Sequence, residues 1–448
     1  MTTEHRLRQD AIAIFMAALS AVDPEKAILD HLSLKGNTIL AGDEHIELHP
    51  EGRVLLVGAG KAAAPMAAAV EQVLEDRISA GIAAVKYGHL FPVKSTVILE
   101  AGHPVPDEKG LEASLRILEL ADGASEKDLV ICLLSGGGSA LLPCPRKPVT
   151  LEDKGETTGL LLASGASIEE INTVRKHLSL IKGGGFARAV YPARLLTLIM
   201  SDVVGDPLDV IASGPTVADP STFQEAMEVL NRYEMRERVP DAVLDLLIQG
   251  INGAVPETLK DDSEEFADTF NILVGNNDMA LAEAHKKATS LGYNTSILPY
   301  PVTGEARDAA IDHVDKIRDV HSVGYPLHPP ACLISGGETT VTIRGKGRGG
   351  RNQEFALAAV PGLDGLNGVV ILSAGTDGID GLTDAAGAIV DGNTAGRAIE
   401  LGLAPDKYLA NNDAYGFFSA TGDLFIIGPT LTNVMDLQIV LVSPRDKK

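Results

Sequence analysis

Short apolar runs alternate along the chain with longer Ala- and Leu-rich stretches, the pattern of buried parallel strands with helices laid over them. "RVLLVGAG" predicts a strand and "KAAAPMAAAVEQVL" the helix after it. "GIAAVKY" and "STVILEAG" predict two more strands, "LEASLRILELA" a helix, and "DLVICLLSGGGSALL" a strand, a glycine-rich turn and a helix start. Ser167 and Glu170 form a capping box ahead of a helix over 168–180, and "ARLLTLIMSD" is a further strand. Charge rises and periodicity weakens around 234–263. A second α/β series then follows: "TFNILVGNND", "MALAEAHKKATSLG", "NTSILP", a helix near 304–320, a hairpin-like piece "TTVTIRGKGRGG", and the strands "VVILSAGTDG", "DLFIIGPT" and "LQIVLVS". The expected fold class is α/β in two domains. Residues 1–250 form a Rossmann-like domain with a mostly parallel sheet, and residues 251–448 a smaller mixed α/β domain. The active site is expected in the interdomain cleft, where strand carboxyl ends place ligand loops.

The run 11–22 behind His5, Arg6 and Arg8 has the size of a signal-peptide core, yet Ile12, Phe15, Met16 and Leu19 fall on one helical stripe, which favours an ordinary helix. Asp23-Pro24 reads as the start of the next one. No run reaches the length of a membrane span. With 38 Lys+Arg against 61 Asp+Glu the net charge is −23, which repels nucleic-acid backbones. Cys132, Cys144 and Cys332 are three in number with no CxxC spacing, so neither a disulfide framework nor a zinc site is expected. Together these imply a cytoplasmic protein without membrane or nucleic-acid partners; they do not fix the oligomeric state, for which a monomer or a homodimer is the expectation.

Candidate chemistry gathers at strand ends. Gly58-Ala59-Gly60-Lys61 fits the GxG of a dinucleotide fingerprint, but the second strand ends at Lys86-Tyr87-Gly88-His89, with no acid to hold a ribose. It is not a Walker A loop either. What remains is a lysine beside a helix N-terminus, suited to one anion. Ser135, Gly136, Gly137, Gly138 and Ser139 expose successive amides after a strand, the makings of an anion nest. Gly183–Gly185 after Lys182 reads as a helix end. Ser335, Gly336, Gly337 and Glu338 echo the Ser-Gly-Gly run, and Arg344, Lys346, Arg348 and Arg351 interleave with glycine as a polyanion clamp would. Asp202, Asp206, Asp377 and Asp380 lie on loops, where phosphoryl transfer places carboxylates for Mg²⁺ and turns also place them for their own reasons. His103 is a structural residue or a substrate contact.

Seven segments in order, "VGAGKAA", "GHPVPDEKG", "LLSGGGSALL", "INTVRKHLSLIKGG", "SDVVGDPLDVIASGPTVAD", "SGGETTVTIRGKGRGGRNQE" and "SAGTDGIDG", resemble the class II glycerate 2-kinases, with a Rossmann-like N-terminal domain and a MOFRL C-terminal domain. The resemblance implies transfer of the γ-phosphoryl group of ATP, with Mg²⁺ or another divalent cation, to the 2-hydroxyl of D-glycerate. It implies Lys61 and Arg351 as catalytic residues. Substrate or phosphate contacts are expected from Gly58, Gly60, Ser135–Ser139, Ser335, Gly336, Gly337, Glu338 and Asn352, and metal contacts from Asp202, Asp206 and Asp377. The competing enzyme is an NAD(P)H-dependent hydroxypyruvate reductase; a binding protein without turnover is the non-enzymatic reading.

Overall fold

The computed structural model describes residues 3–444. The chain divides into two compact units, one of residues 24–275 and one that joins residues 1–23 to residues 276–448.

In the unit 24–275, six parallel strands, β1 (Val54–Ala59), β2 (Ile78–Lys86), β3 (Thr96–Ala101), β4 (Leu129–Leu134), β5 (Arg194–Met200) and β6 (Thr269–Gly275), pair in the order β3-β2-β1-β4-β5-β6. That is the doubly-wound order, whose direction reverses between β1 and β4. Every residue of β1 and β4 is buried, as expected of strands covered on both faces. The register aligns Gly58 and Ala59 with Leu133 and Leu134, so the loops after β1 and β4 leave the sheet side by side. The helix over β1, Ala63–Leu74, buries Ala63, Ala64, Ala67 and Ala69 on its first turns, small residues that let it approach the strands closely. The Ser167–Glu170 capping box is present in full, over the helix Ile168–His177. Unforeseen is a three-stranded antiparallel meander, Leu32–Lys35, Thr38–Ala41 and Glu44–Glu47.

In the other unit a mixed sheet contains β7 (Asn294–Ile297), β8 (Val302–Glu305), β9 (Ala331–Thr340), β10 (Val369–Gly375), β11 (Gly387–Asp391), β12 (Leu424–Phe425) and β13 (Asp436–Val442), ordered β7-β9-β13-β10-β11-β12, with β8 also on β9. The fold class is therefore as expected, two α/β domains, one parallel and one mixed. The expected boundary at 250/251 moves in two ways. "TFNILVG" is β6, paired in parallel with β5, so the first unit runs on to Gly275. The N-terminal helix Thr3–Ala21 belongs to the unit of the chain's end.

That helix buries Leu7, Ala11, Ile14, Phe15 and Ala18, not the expected stripe; Met16 is 43% exposed. Phe15 stacks edge-on with Phe425 at 5.3 Å between centroids, and burying such a ring contributes roughly 1.5–3 kcal/mol. Arg8 bridges Asp391 and Asp423, and Tyr293 donates to Asp10 at 2.7 Å. The "TTVTIRGKGRGG" hairpin does not form. β9 ends at Thr340, and 341–350 run as a loop whose amides at Arg344, Lys346 and Arg348 are held by Asn412, Asn411 and Asp413. Gly345 and Gly347 lie so close to the backbone of Asn411 and to Asp413 that a Cβ has no room.

Candidate active site

The site grows from the switch point between β1 and β4. The first turn closes on its neighbour rather than on open space. Gly60 N–H donates to Ala84 O, Lys61 N–H to Gly136 O and Ala62 N–H to Ser135 Oγ, while Ser135 N–H returns to Ala59 O. Gly60 has φ of +139°, and a Cβ there would overlap Ser135. These bonds fix Lys61 at the mouth of the helix Ala63–Leu74. They also correct the expected phosphate role of Gly58 and Gly60: Gly58 lies inside β1 and the amides of the turn are already used.

The open amides are in the second loop. Gly136 and Gly137 N–H have no hydrogen-bond partner among the described residues, and Gly137, at φ +86°, turns the backbone into the helix start Gly138–Leu141. Such successive unpaired amides bind anions. The His103 ring covers this turn, within 3 Å of where a Gly137 Cβ would stand. Burial first, then the positive charge of Lys61 and Lys86 and the neighbouring His89, push the His103 pKa down to about 4. The imidazole is therefore neutral at pH 7, in a field of lysines that attracts anions.

Ser135 and Ser139 have structural duties. Ser135 Oγ accepts from Ala62 N–H. Ser139 Oγ accepts from Arg175 Nη2 at 2.7 Å and from Lys182 Nζ at 2.8 Å. Ser213 donates to Asn172 Oδ1, so the one proton of Ser139 goes to Ser213 Oγ at 2.9 Å. The Ser139 hydroxyl is thereby saturated, which leaves the backbone amides of this loop as its expected anion donors. Arg175, Lys182, Asn172 and Ser213, which meet around Ser139, are not singled out by the sequence pattern; their signal is the cations Arg175, Lys176 and Lys182 in "VRKHLSLIKGG", a segment that otherwise reads as a helix and its end. Asp202 and Asp206 follow β5, the next strand in the sheet, with Asp206 at φ +54°.

The remaining candidates lie in the other unit. Arg351 opens the helix Arg351–Leu363. Its guanidinium meets Asp436 in two bonds, Nε to Oδ2 at 2.6 Å and Nη2 to Oδ1 at 3.0 Å, and also pairs with Glu338. Burial works against its charge, but Asp436 and Glu338 outweigh it and raise its pKa. Asp380 caps the same helix through the amides of Asn352 at 3.1 Å and Gln353 at 2.8 Å; burial, joined by Asp436 and opposed by these bonds, raises its pKa to about 7. Asp377 Oδ1 accepts from Ile379 N–H and stands near Asp436 across Gly375.

Several expected contacts have other work here. Ser335 is inside β9, donating to Gln438 Oε1 at 3.0 Å and bonded to His313 Nε2 at 2.8 Å. Gly336 and Gly337 are strand residues, packed on Asn277 and on the Val302 backbone, so no second nest forms. Asn352 accepts from Ser373 Oγ at 2.8 Å. Among the described residues no three His, Cys, Asp or Glu side chains come together to hold an ion.

A family model described as a domain of unknown function, DUF4147, matches residues 10–248, and the MOFRL family matches residues 331–436. A D-glycerate 2-kinase of Thermotoga maritima is 44% identical, over 97% of this chain and 98% of its own. The chain belongs to the glycerate 2-kinase family with a MOFRL domain. A glycerate 2-kinase of Pyrococcus horikoshii is 40% identical over 98% of both chains, and a protein of Agrobacterium vitis named a putative hydroxypyruvate reductase is 42% identical over 97% and 94%. The crystal structure of the glycerate kinase from Thermotoga maritima superimposes with a TM-score of 0.87, covering 98% of this chain and 100% of its own. Family membership fits the two-unit architecture, and no helix of the described residues is long and apolar enough to cross a membrane.

Proposed function

We propose that the chain is an ATP-dependent glycerate 2-kinase, which joins the 2-hydroxyl oxygen of D-glycerate to the γ-phosphorus of ATP, breaks the bond to ADP and releases 2-phospho-D-glycerate. The observation that carries this reading is the nest at the switch point: two unpaired amides at Gly136 and Gly137, with Lys61 beside them and neutral His103 over the turn. Phosphoryl transfer needs little covalent help from a protein and gains mostly from positioning and charge stabilisation, which amides and lysines at a rigid strand end supply. Lys61 and Arg351 are the proposed catalytic cations. Arg351 exchanges part of its bonding to Glu338, the more exposed of its two partners, for the reacting anion. The divalent ion enters as part of the MgATP substrate, held by phosphate oxygens and one or two carboxylates, for which Asp202, Asp206 and Asp377 are the proposed sources. The use of ATP and three buried free thiols support a cytoplasmic place of work.

Hydroxypyruvate reduction is the second reading, since relatives bear that name. The strand order suits a dinucleotide, but the amides of the first turn are bonded to Ala84, Gly136 and Ser135 and are closed to a pyrophosphate. Two assays on one sample decide. ATP, Mg²⁺ and D-glycerate with enolase-coupled detection register only 2-phosphoglycerate; hydroxypyruvate with NADH or NADPH registers loss of reduced cofactor. Signal in the second alone sinks the kinase.

A further inference from the structure

Buried cations ordinarily have carboxylate partners. Lys176 follows the rule, with Asp209 at 3.2 Å and Asp219 at 3.3 Å. Its neighbours do not. Lys182 is 1% exposed and its Nζ donates only to the carbonyl and the hydroxyl of Ser139. Lys154 is 6% exposed and donates to the Pro143 carbonyl. Arg175 gives Nη2 to Ser139 Oγ, and its Nε and Nη1 have no partner among the described residues. No carboxylate pairs with any of the three there. Burial lowers the pKa of each, and Arg175 and Lys154 further depress Lys182. The three cationic side chains thus stand together without a carboxylate partner, with Arg175 and Lys182 both on Ser139, two residues after the open amide of Gly137. An arrangement that costs stability in the free protein and satisfies itself only with an incoming anion is the signature of a ligand seat.

We infer that Arg175 receives the carboxylate of the acceptor, with Lys182 holding Ser139 in place as a positioning residue. The inference rests on the kinase reading and extends it to the question of why a hydroxy acid is the acceptor. The planar fork of arginine matches a carboxylate in two parallel bonds, and the free Nε and Nη1 are the donors for it. The saturated Ser139 fixes the third nitrogen, so the guanidinium is oriented before substrate arrives. The nest at Gly136 and Gly137, on the same loop as Ser139, is left for the phosphoryl group. The seat thereby selects 2-hydroxy acids over polyols of the same length.

The test is direct binding by calorimetry, on the full chain, of D-glycerate, of glycerol as the same skeleton without a carboxylate, and of ADP. Wild type is expected to bind D-glycerate and not glycerol. Arg175→Gln is expected to weaken D-glycerate by roughly 10- to 100-fold, the cost of a charge-assisted pair, with ADP changed less than about twofold. Arg175→Lys, which keeps the charge and loses the fork, falls between and serves if the glutamine variant does not fold. Glycerate affinity unchanged in both variants, or a loss confined to ADP, overturns the inference, the second outcome handing the seat to a nucleotide phosphate. Because binding is read without turnover, Arg175-dependent capture of glycerate in a protein that transfers no phosphate would refute the kinase and leave the seat standing.

Discussion

Lys154→Met measures the unbalanced charge around Ser139. The ammonium is buried, bonded to the Pro143 carbonyl at 2.8 Å. Burial, followed by repulsion from Arg175 and opposed by Cys144, lowers its pKa from 10.5 to about 7. The folded state holds this proton less tightly than the unfolded chain, so the lysine costs stability at any pH below 10.5, and the cost grows as pH falls to 7 and is constant below that. At pH 7 it amounts to about 4 kcal/mol. Methionine fills a similar volume without charge, but leaves the Pro143 carbonyl without its donor, at roughly 1–3 kcal/mol. The variant is therefore expected to be more stable at pH 7 by roughly 1–3 kcal/mol, the difference of these terms. The gain shrinks with rising pH and reverses between roughly pH 8 and 10, where the cost of the charge falls to that of the stranded carbonyl. Urea-unfolding midpoints by circular dichroism at pH 7, 8, 9 and 10, on both proteins, read it. A variant less stable than wild type at pH 7, with a parallel pH curve, would show that the lysine's charge is compensated and would refute the reasoning.

Three further outcomes follow from the same structure. Lys61→Ala is expected to lower kcat by roughly 10²- to 10³-fold, the size of losing a charge-stabilising donor, with an unchanged melting curve; near-normal kcat at saturating substrate removes Lys61 from the chemistry. Arg351→Ala should lose activity and also roughly 3–5 kcal/mol of stability, because it strands the buried Asp436, so Arg351→Lys is the variant in which activity is read; wild-type stability in Arg351→Ala would contradict the ion pair. In acid, Glu257 is held down to about 2 although burial opposes it, by His177 and the Phe223 amide. Its stabilisation is complete above about pH 4.5 and disappears toward pH 2, a window that Glu257→Gln should erase from the acid-unfolding curve.

The parallel sheet was legible because buried strands and alanine-rich helices write themselves as plain runs, and the loops Gly58–Lys61 and Ser135–Ser139 because strand ends in such sheets carry ligands. The work each residue does there was not. Gly60 looked like a phosphate-binding glycine and is one that makes room for Ser135; Ser335-Gly336-Gly337 copied the letters of the nest and lies inside a strand. Both depend on what packs opposite, which no local pattern encodes. Arg175 and Lys182 were hidden for a different reason: a cation in a helix looks the same whether or not a carboxylate faces it. The meander at 32–47 had a signal that went unused, since Gly36-Asn37 and Gly42-Asp43 separate short alternating strands as two-residue hairpin turns do. The domain boundary failed where pairing decides membership, as β6 shows.

The joining of residues 1–23 to residues 276–448 has a consequence for synthesis on the ribosome. The first helix emerges with Leu7, Ile14 and Phe15 bare, and the strands and helix it covers are made last. Between them come roughly 250 residues that fold as a unit of their own, and at about 5–20 residues per second the helix waits tens of seconds for its partners. Until β13 is released, the chain presents a finished globule flanked by an oily N-terminal helix and an incomplete sheet. Expression at high temperature, or a truncation that removes β13, should therefore expose this helix to chaperones and aggregation long before it disturbs the parallel sheet.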